Sequence, residues 1–255
     1  MRLTLPRFPR LRSFARRLRG EDKGLALIEF ALSLPVFLGL GMFGVEVAYF
    51  AVTSMNVSQI SLTVADNAAR MGQTSTSSTT KTIYRSDLNS LFAGATKQGE
   101  AIDFMEHGRV VVSSLETVGS LDKQLIRWQR CSGDATSYSS SYGPELTSEV
   151  LDPSFIGMGP AGEEIRAPVG DAVMYVEVFY EYQGLFGDMF IGNRVISYEA
   201  AFPIRDDRNL ASGVADDGAD DPVCAPAPAP APSPYRDNAA PGVCHTTRHD
   251  GYHCH

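Results

Sequence analysis

The hydrophobic pattern of the chain begins with one long apolar run. From Leu25 to Val52 there are 28 residues, with Glu29 and Glu46 the only charged ones. A helix needs about 20 apolar residues to cross a bilayer, so the run predicts a membrane-spanning helix over 25–52. Pro35 falls inside it and removes a helix hydrogen bond, so a kink or local break is expected there. Gly39, Gly41, Gly44 and Ala48 add small residues that let another helix approach closely. Beyond the run, Val57, Ile60, Val64, Ala68 and Met71 follow steps of three and four. The helix therefore continues as an amphipathic one to about Met71, with Ser58, Ser61, Asn67 and Arg70 on its opposite side. The alternative is a break at Thr53-Ser54 and a separate second helix.

The Ser/Thr run from Gln73 to Thr80 has no period and reads as an exposed loop. Ile83, Leu88, Leu91, Phe92 and Ala95 then predict a second amphipathic helix, ended near Gly99. From there the pattern changes to period two and to β-branched runs. Strands are expected over 109–116, 124–130, 172–182 and 194–202. Four strands after two helices predict an α+β fold, with a long N-terminal membrane and amphipathic helix packed on a small antiparallel sheet. Residues 132–171, rich in Ser, Gly and Pro, read as a long exposed functional loop. The alternating Ala and Pro of residues 225–234 form an extended spacer within a disordered tail. The expected organisation is a basic leader over 1–24, the span over 25–52, a folded domain over 53–208 and a tail over 209–255.

Charge sets the orientation of this arrangement. The chain carries −8 in all, yet residues 1–24 hold seven Arg and one Lys against Glu21 and Asp22, a net +6 that leaves −14 on the remainder. A basic block directly before an apolar span is retained on the cytoplasmic side, which puts the acidic remainder outside the cytoplasm. That placement is preferred to a nucleic-acid interface. The run is too long for the core of a Sec signal peptide and has no small-residue cleavage site beyond it. Arg16-Arg17, in so arginine-rich a leader, is a chance pair rather than a twin-arginine signal.

A carboxylate near a span is costly and usually finds a partner; the plain alternative is a solvated Glu29 at headgroup level. A cut after Gly24 would expose the α-ammonium of Leu25 four residues before Glu29, and the cation of a neighbouring subunit could neutralise the acid. Gly24 followed by four residues and Glu29-Phe30 resembles the site at which prepilin peptidase cuts prepilins of the Flp type. The longer pattern Gly24-x-x-x-x-Glu29-Phe30-Ala31-Leu32-x-x-Pro35 is similar to the TadE-like family, the minor pilins or pseudopilins of tight-adherence (Tad) pilus systems. Trp128-Gln-Arg-Cys131 and the stretch from Ala200 to Asn209 resemble segments that recur in that family. The resemblance implies inner-membrane insertion with the N-terminus cytoplasmic and the domain periplasmic. It also implies processing between Gly24 and Leu25, and other Tad pilins and the pilus assembly platform as partners, without nucleic acid or a small-molecule substrate.

Four cysteines, Cys131, Cys224, Cys244 and Cys254, are an even number outside the cytoplasm and allow three pairings. Cys131 with Cys224, and Cys244 with Cys254, are the expected disulfides, free thiols being the alternative. His245, His249, His253 and His255 crowd the last eleven residues, but a disulfide there would remove two thiolates, so no metal site is expected. Asp216, Asp217, Asp220 and Asp221 do not follow a calcium-loop spacing and read as a solvated linker. Asn56-Val57-Ser58 fits a glycan acceptor but reads as ordinary polar sequence. No nucleophile elbow or phosphate-cradling glycine loop occurs, and no cofactor or catalytic role is expected. The competing function class is a membrane-anchored periplasmic binding or enzymatic domain unrelated to pili.

Overall fold

The structure, a computed structural model, describes residues 23–75, 78–192, 194–210 and 213–224. The leader up to residue 22 and the tail from residue 225, including Cys244, Cys254 and the histidine cluster, lie outside the described residues. The first element is a single helix, α1 (Lys23–Arg70), of 48 residues, about 70 Å long at 1.5 Å per residue. It runs uninterrupted through Pro35 and through Thr53-Ser54, so neither the local break at the proline nor a separate second helix is present. One turn before the proline, Ser33 Oγ donates to Phe30 O at 3.2 Å.

The second half of α1 buries Val57, Ile60, Val64, Ala65, Ala68 and Ala69. Ser61, expected on the polar side, is buried too and donates to Ser58 O at 2.8 Å. Its hydroxyl is satisfied within the helix, which lets the packed stripe widen beyond the strict three-four pattern.

Gly72, at φ +114°, takes a conformation that costs glycine little, and it ends the helical path. The chain returns as β1 (Gln73–Ser75) and β2 (Ser78–Tyr84), an antiparallel pair. The exposed loop expected over Gln73 to Thr80 is thus in part a strand pair. Threonines favour the extended backbone, and β2 gains a parallel partner in β7 (Val214–Ala215). Helix α2 (Arg85–Gln98) follows, its N-terminus closed by Asp87, whose carboxylate accepts from Tyr84 N at 2.9 Å. It buries Leu88, Leu91, Phe92 and Ala95, while Ile83 sits in β2 just before it. A short helix α3 (Phe104–His107) leads into the main sheet.

That sheet consists of β3 (Gly108–Thr117), β4 (Gln124–Ser132), β5 (Ala172–Glu181) and β6 (Val195–Pro203), in the order β4-β3-β5-β6 and antiparallel throughout. These are the four strands expected. Alternation divides the sheet between two covers. Ala172, Met174, Val176, Val178 and Tyr180 of β5, with Val110 and Val112 of β3, face α1 and α2 in one apolar cluster. Val173 and Tyr175 face the other way, together with Leu115 and Ile126, against Phe155, Met158 and Ala167.

The second cover corrects the reading of residues 132–171 as an exposed loop. Without regular elements, the segment lays a thin layer over the outer face of the sheet. Met158 pairs with Ile165 in a small bridge, Tyr138 stacks on Phe179 with ring centres 5.3 Å apart, and Ser141 N donates to Glu177 Oε1 at 2.8 Å. Residues 213–224 also belong to the folded body. Cys224 is disulfide-bonded to Cys131, Arg130 Nε donates to Asp221 Oδ1 at 2.5 Å, and Arg85 pairs with Asp216 at 2.7 Å. The acidic stretch is tied down because two of its carboxylates meet arginines and its end is covalently fixed.

Candidate functional site

The first turns of α1 present lipid-like surface. Leu27, Ile28, Phe30, Leu32, Phe37 and Leu40 are all more than half exposed, a pattern opposite to that of a soluble helix. Gly24 and Leu25 fall in the opening turn of the helix. Glu29, one turn further on, is exposed and makes no hydrogen bond or ion pair among the described residues. From Ala26 to Met42 the exposed stretch is 17 residues, about 25 Å of helix.

The head begins to touch α1 at Phe43, inside the range 25–52 expected to cross the membrane. Phe43 meets Phe190 with ring centres 5.8 Å apart. One turn later comes Glu46, fully buried. Its Oε1 accepts from Tyr182 Oη at 2.7 Å and its Oε2 from Phe186 N at 3.2 Å. Both carboxylate oxygens are thus met, which is what a buried charge requires. A Cβ on Gly184 would lie 2.7 Å from Glu46 Oε1 and 2.6 Å from Gly187 O, so only glycine lets the loop after β5 approach this closely. Tyr182 is also pressed by Tyr49 and Phe50, at 6.0 and 5.0 Å between ring centres. Burial, with the Glu46 carboxylate beside it, pushes the Tyr182 phenol well above the ordinary tyrosine range. Helix and head are locked at this junction by a hydrogen-bonded acid inside an aromatic collar.

The far end of α1 is held by the stretch that follows β6. The last four carbonyls of a helix lack helical partners. Here Arg208 Nη2 donates to Ala68 O at 3.2 Å and to Met71 O at 2.8 Å, Arg205 N donates to Ala69 O at 3.2 Å, and Lys81 Nζ donates to Arg70 O at 3.2 Å. The positive groups also complement the negative end of the helix dipole. Lys81 is itself paired with Asp206 at 2.6 Å, and Arg205 with Asp66 at 2.7 Å. The stretch from Ala200 to Asn209 therefore works as a clamp on the end of the helix. Trp128, in the other resembling segment, packs in the cluster facing α1, while Cys131 carries the disulfide.

Among the described residues, no three His, Cys, Asp or Glu side chains gather in a way that would hold a metal ion. His107 is part-exposed in α3, apart from the junction and the clamp. The arrangement fixes a long helix against a head and leaves the first half of the helix, with Glu29, exposed. Family models, curated proteins and solved structures yield no match to this chain.

The structure brings together Cys131 and Cys224 but leaves Gly24, Leu25, Glu29 and Pro35 on the free half of the helix, away from the head. Sequence reasoning missed the junction. The signal available was Glu46 itself, a second acid in an apolar run that must find a partner, but nothing local pointed to Tyr182, 136 residues away. The clamp was missed because arginines in an acidic stretch look like surface charge.

Proposed function

We propose that this chain is a TadE-like minor pilin or pseudopilin that takes part in assembling Tad pili, and so in surface adhesion and biofilm formation. The observation that carries this reading is the pattern from Gly24 to Pro35 at the start of one continuous helix. The first half of that helix is bare and apolar, and its second half is packed on an α+β head. In this reading residues 1–24 stay in the cytoplasm, prepilin peptidase cuts after Gly24, and the head stands in the periplasm. The α-ammonium created on Leu25 of one subunit neutralises Glu29 of its neighbour within the membrane. An unpaired carboxylate is strongly disfavoured in that medium, so only correctly staggered helices associate. The exposed Glu29, without a partner among the described residues, supports this role, because the pairing group would come from another copy or another pilin.

N-terminal sequencing of the membrane-associated protein from cells with and without the peptidase tests the reading directly. The expected result is Leu25 as the first residue in the former. An intact Met1 in both sinks the proposal. Glu29→Ala should keep membrane insertion and lose piliation, read by electron microscopy of the cell surface; normal piliation removes the pairing role. Replacing residues 1–52 by an unrelated membrane anchor should abolish function. If function survived, the helix would be only an anchor and the head a separate binding or enzymatic domain.

A further inference from the structure

We propose that the loop joining β5 to β6, residues 184–192, is a second membrane contact that seats Leu185 and Met189 in the outer headgroup and acyl boundary of the bilayer. The inference rests on the membrane placement of α1 given above.

Depth is the first argument. Lys23 marks the cytoplasmic end of the apolar helix, and Phe43 lies 20 residues further along it. At 1.5 Å per residue this is about 30 Å, the thickness of a bilayer hydrocarbon core. Phe43 is the residue that Phe190 of the loop packs against. The loop is therefore held at the level where the outer leaflet ends. The neighbouring helix residues Val45 and Val47 are 52% and 41% exposed, so the helix itself still shows apolar surface there.

Composition is the second. Residues 185–191 read Leu-Phe-Gly-Asp-Met-Phe-Ile. Phe186 and Phe190 meet edge to face at 5.9 Å and form a base beside α1, while Leu185 and Met189 project outward, 53% and 70% exposed. An isolated exposed apolar residue is ordinary. Two of them on an aromatic base, at bilayer depth and against a spanning helix, match the aromatic and aliphatic belt of membrane interfaces. The one acid, Asp188, is exposed beside Gly192, its Oδ1 3.3 Å from where a Cβ on that glycine would sit.

Rigidity is the third. Glu46 accepts from Phe186 N and from Tyr182 at the end of β5, so the loop is fixed to the helix rather than hanging free. Two points of bilayer contact, helix and loop, would fix the tilt and rotation of the head over the membrane.

Depth-dependent fluorescence quenching tests this in full-length protein reconstituted into phospholipid vesicles. Met189→Trp supplies a loop probe and Leu32→Trp a helix probe in the middle of the bare segment, each compared with the native Trp128, buried in the head. Bromine placed near the headgroup end of the acyl chain should quench the loop probe about twofold or more, as expected at interfacial depth. Bromine near the methyl end should instead favour the helix probe, and the native tryptophan should be unaffected by either. If the helix probe is quenched while the loop probe emits as in water and is not, the loop proposal fails and the span stands. A blue-shifted but unquenched loop probe also overturns it, assigning the loop to a protein neighbour. An unquenched helix probe overturns the spanning placement itself, and the loop contact with it.

Discussion

Glu46 and Glu177 are both removed from water, with 0% and 1% of their surface exposed, yet their surroundings differ. Glu46 has a donor on each oxygen. Glu177 accepts from Ser141 N on Oε1, while its Oε2 is buried without a partner. Burial pushes the Glu177 carboxyl above the ordinary carboxylate range, and the hydrogen bonds from Ser140 and Ser141 only partly oppose it. A folded-state pKa above the unfolded one means that the folded state holds the proton more tightly. The contribution to stability is therefore full below the ordinary value of about 4.3 and is lost as pH rises through the raised one. Glu177→Gln removes the charge and most of that pH dependence. The expected outcome is a variant that gains in melting temperature relative to the native chain as pH goes from about 4 to about 7, measured by thermal unfolding in detergent. An unchanged difference across that window would show that burial does not raise this carboxyl above its ordinary range. Glu29 is the contrasting case, an exposed acid with no hydrogen bond or ion pair among the described residues.

At the scale of elements, α1 depends on the clamp at its far end. Arg208 is 8% exposed, and its burial lowers its pKa from the usual guanidinium value. Its Nη2 alone reaches two carbonyls at the helix end, where helical donors have run out, while its Nε and Nη1 are buried without a partner. Leaving buried carbonyls unmet costs about 1–3 kcal/mol, so Arg208→Ala should lower stability by about 2 kcal/mol in chemical denaturation. An exposed change such as Thr63→Ala, in the same helix, should have little effect. The elements themselves were largely legible. Val57 to Met71 steps by three and four because a helix stripe imposes a period, and β3 and β5 stand out through Val-rich apolar stretches because a strand covered on both faces needs apolar side chains on each. The cover over residues 133–171 was not legible. Phe155, Met158 and Ala167 are scattered among Gly, Pro and Ser, and they reach the sheet through pairings such as Met158 with Ile165, which leave no repeat in the sequence. The junction was illegible for a related reason: its parts, Glu46, Tyr182, Gly184 and Phe186, meet only after the sheet has folded.

At the scale of the whole molecule, the chain closes on itself through Cys131 and Cys224. They are 93 residues apart in sequence, and the loop between them contains β5, β6, the outer cover of the sheet and the clamp. Cross-linking a loop of this length removes denatured-state entropy worth about 4–5 kcal/mol on the chain-entropy model. The native contacts around the bridge, Arg130 with Asp221 and Cys131 N with Pro222 O at 2.8 Å, do not depend on the covalent bond. They are single non-covalent contacts between the same two segments, and so are worth less than the closure. Changing both cysteines to serine should therefore lower the unfolding free energy of the head by up to about 4 kcal/mol. The same change should leave membrane insertion intact, because the bare half of α1 takes no part in the loop. Denaturant unfolding followed by Trp128 fluorescence, with membrane association read in the same preparations, separates the two. Equal stability of the double variant would mean that the ion pairs and β7 hold the C-terminal stretch without the covalent bond. Loss of insertion would mean that the head helps to place the helix in the membrane, a coupling that the junction at Glu46 would then have to transmit.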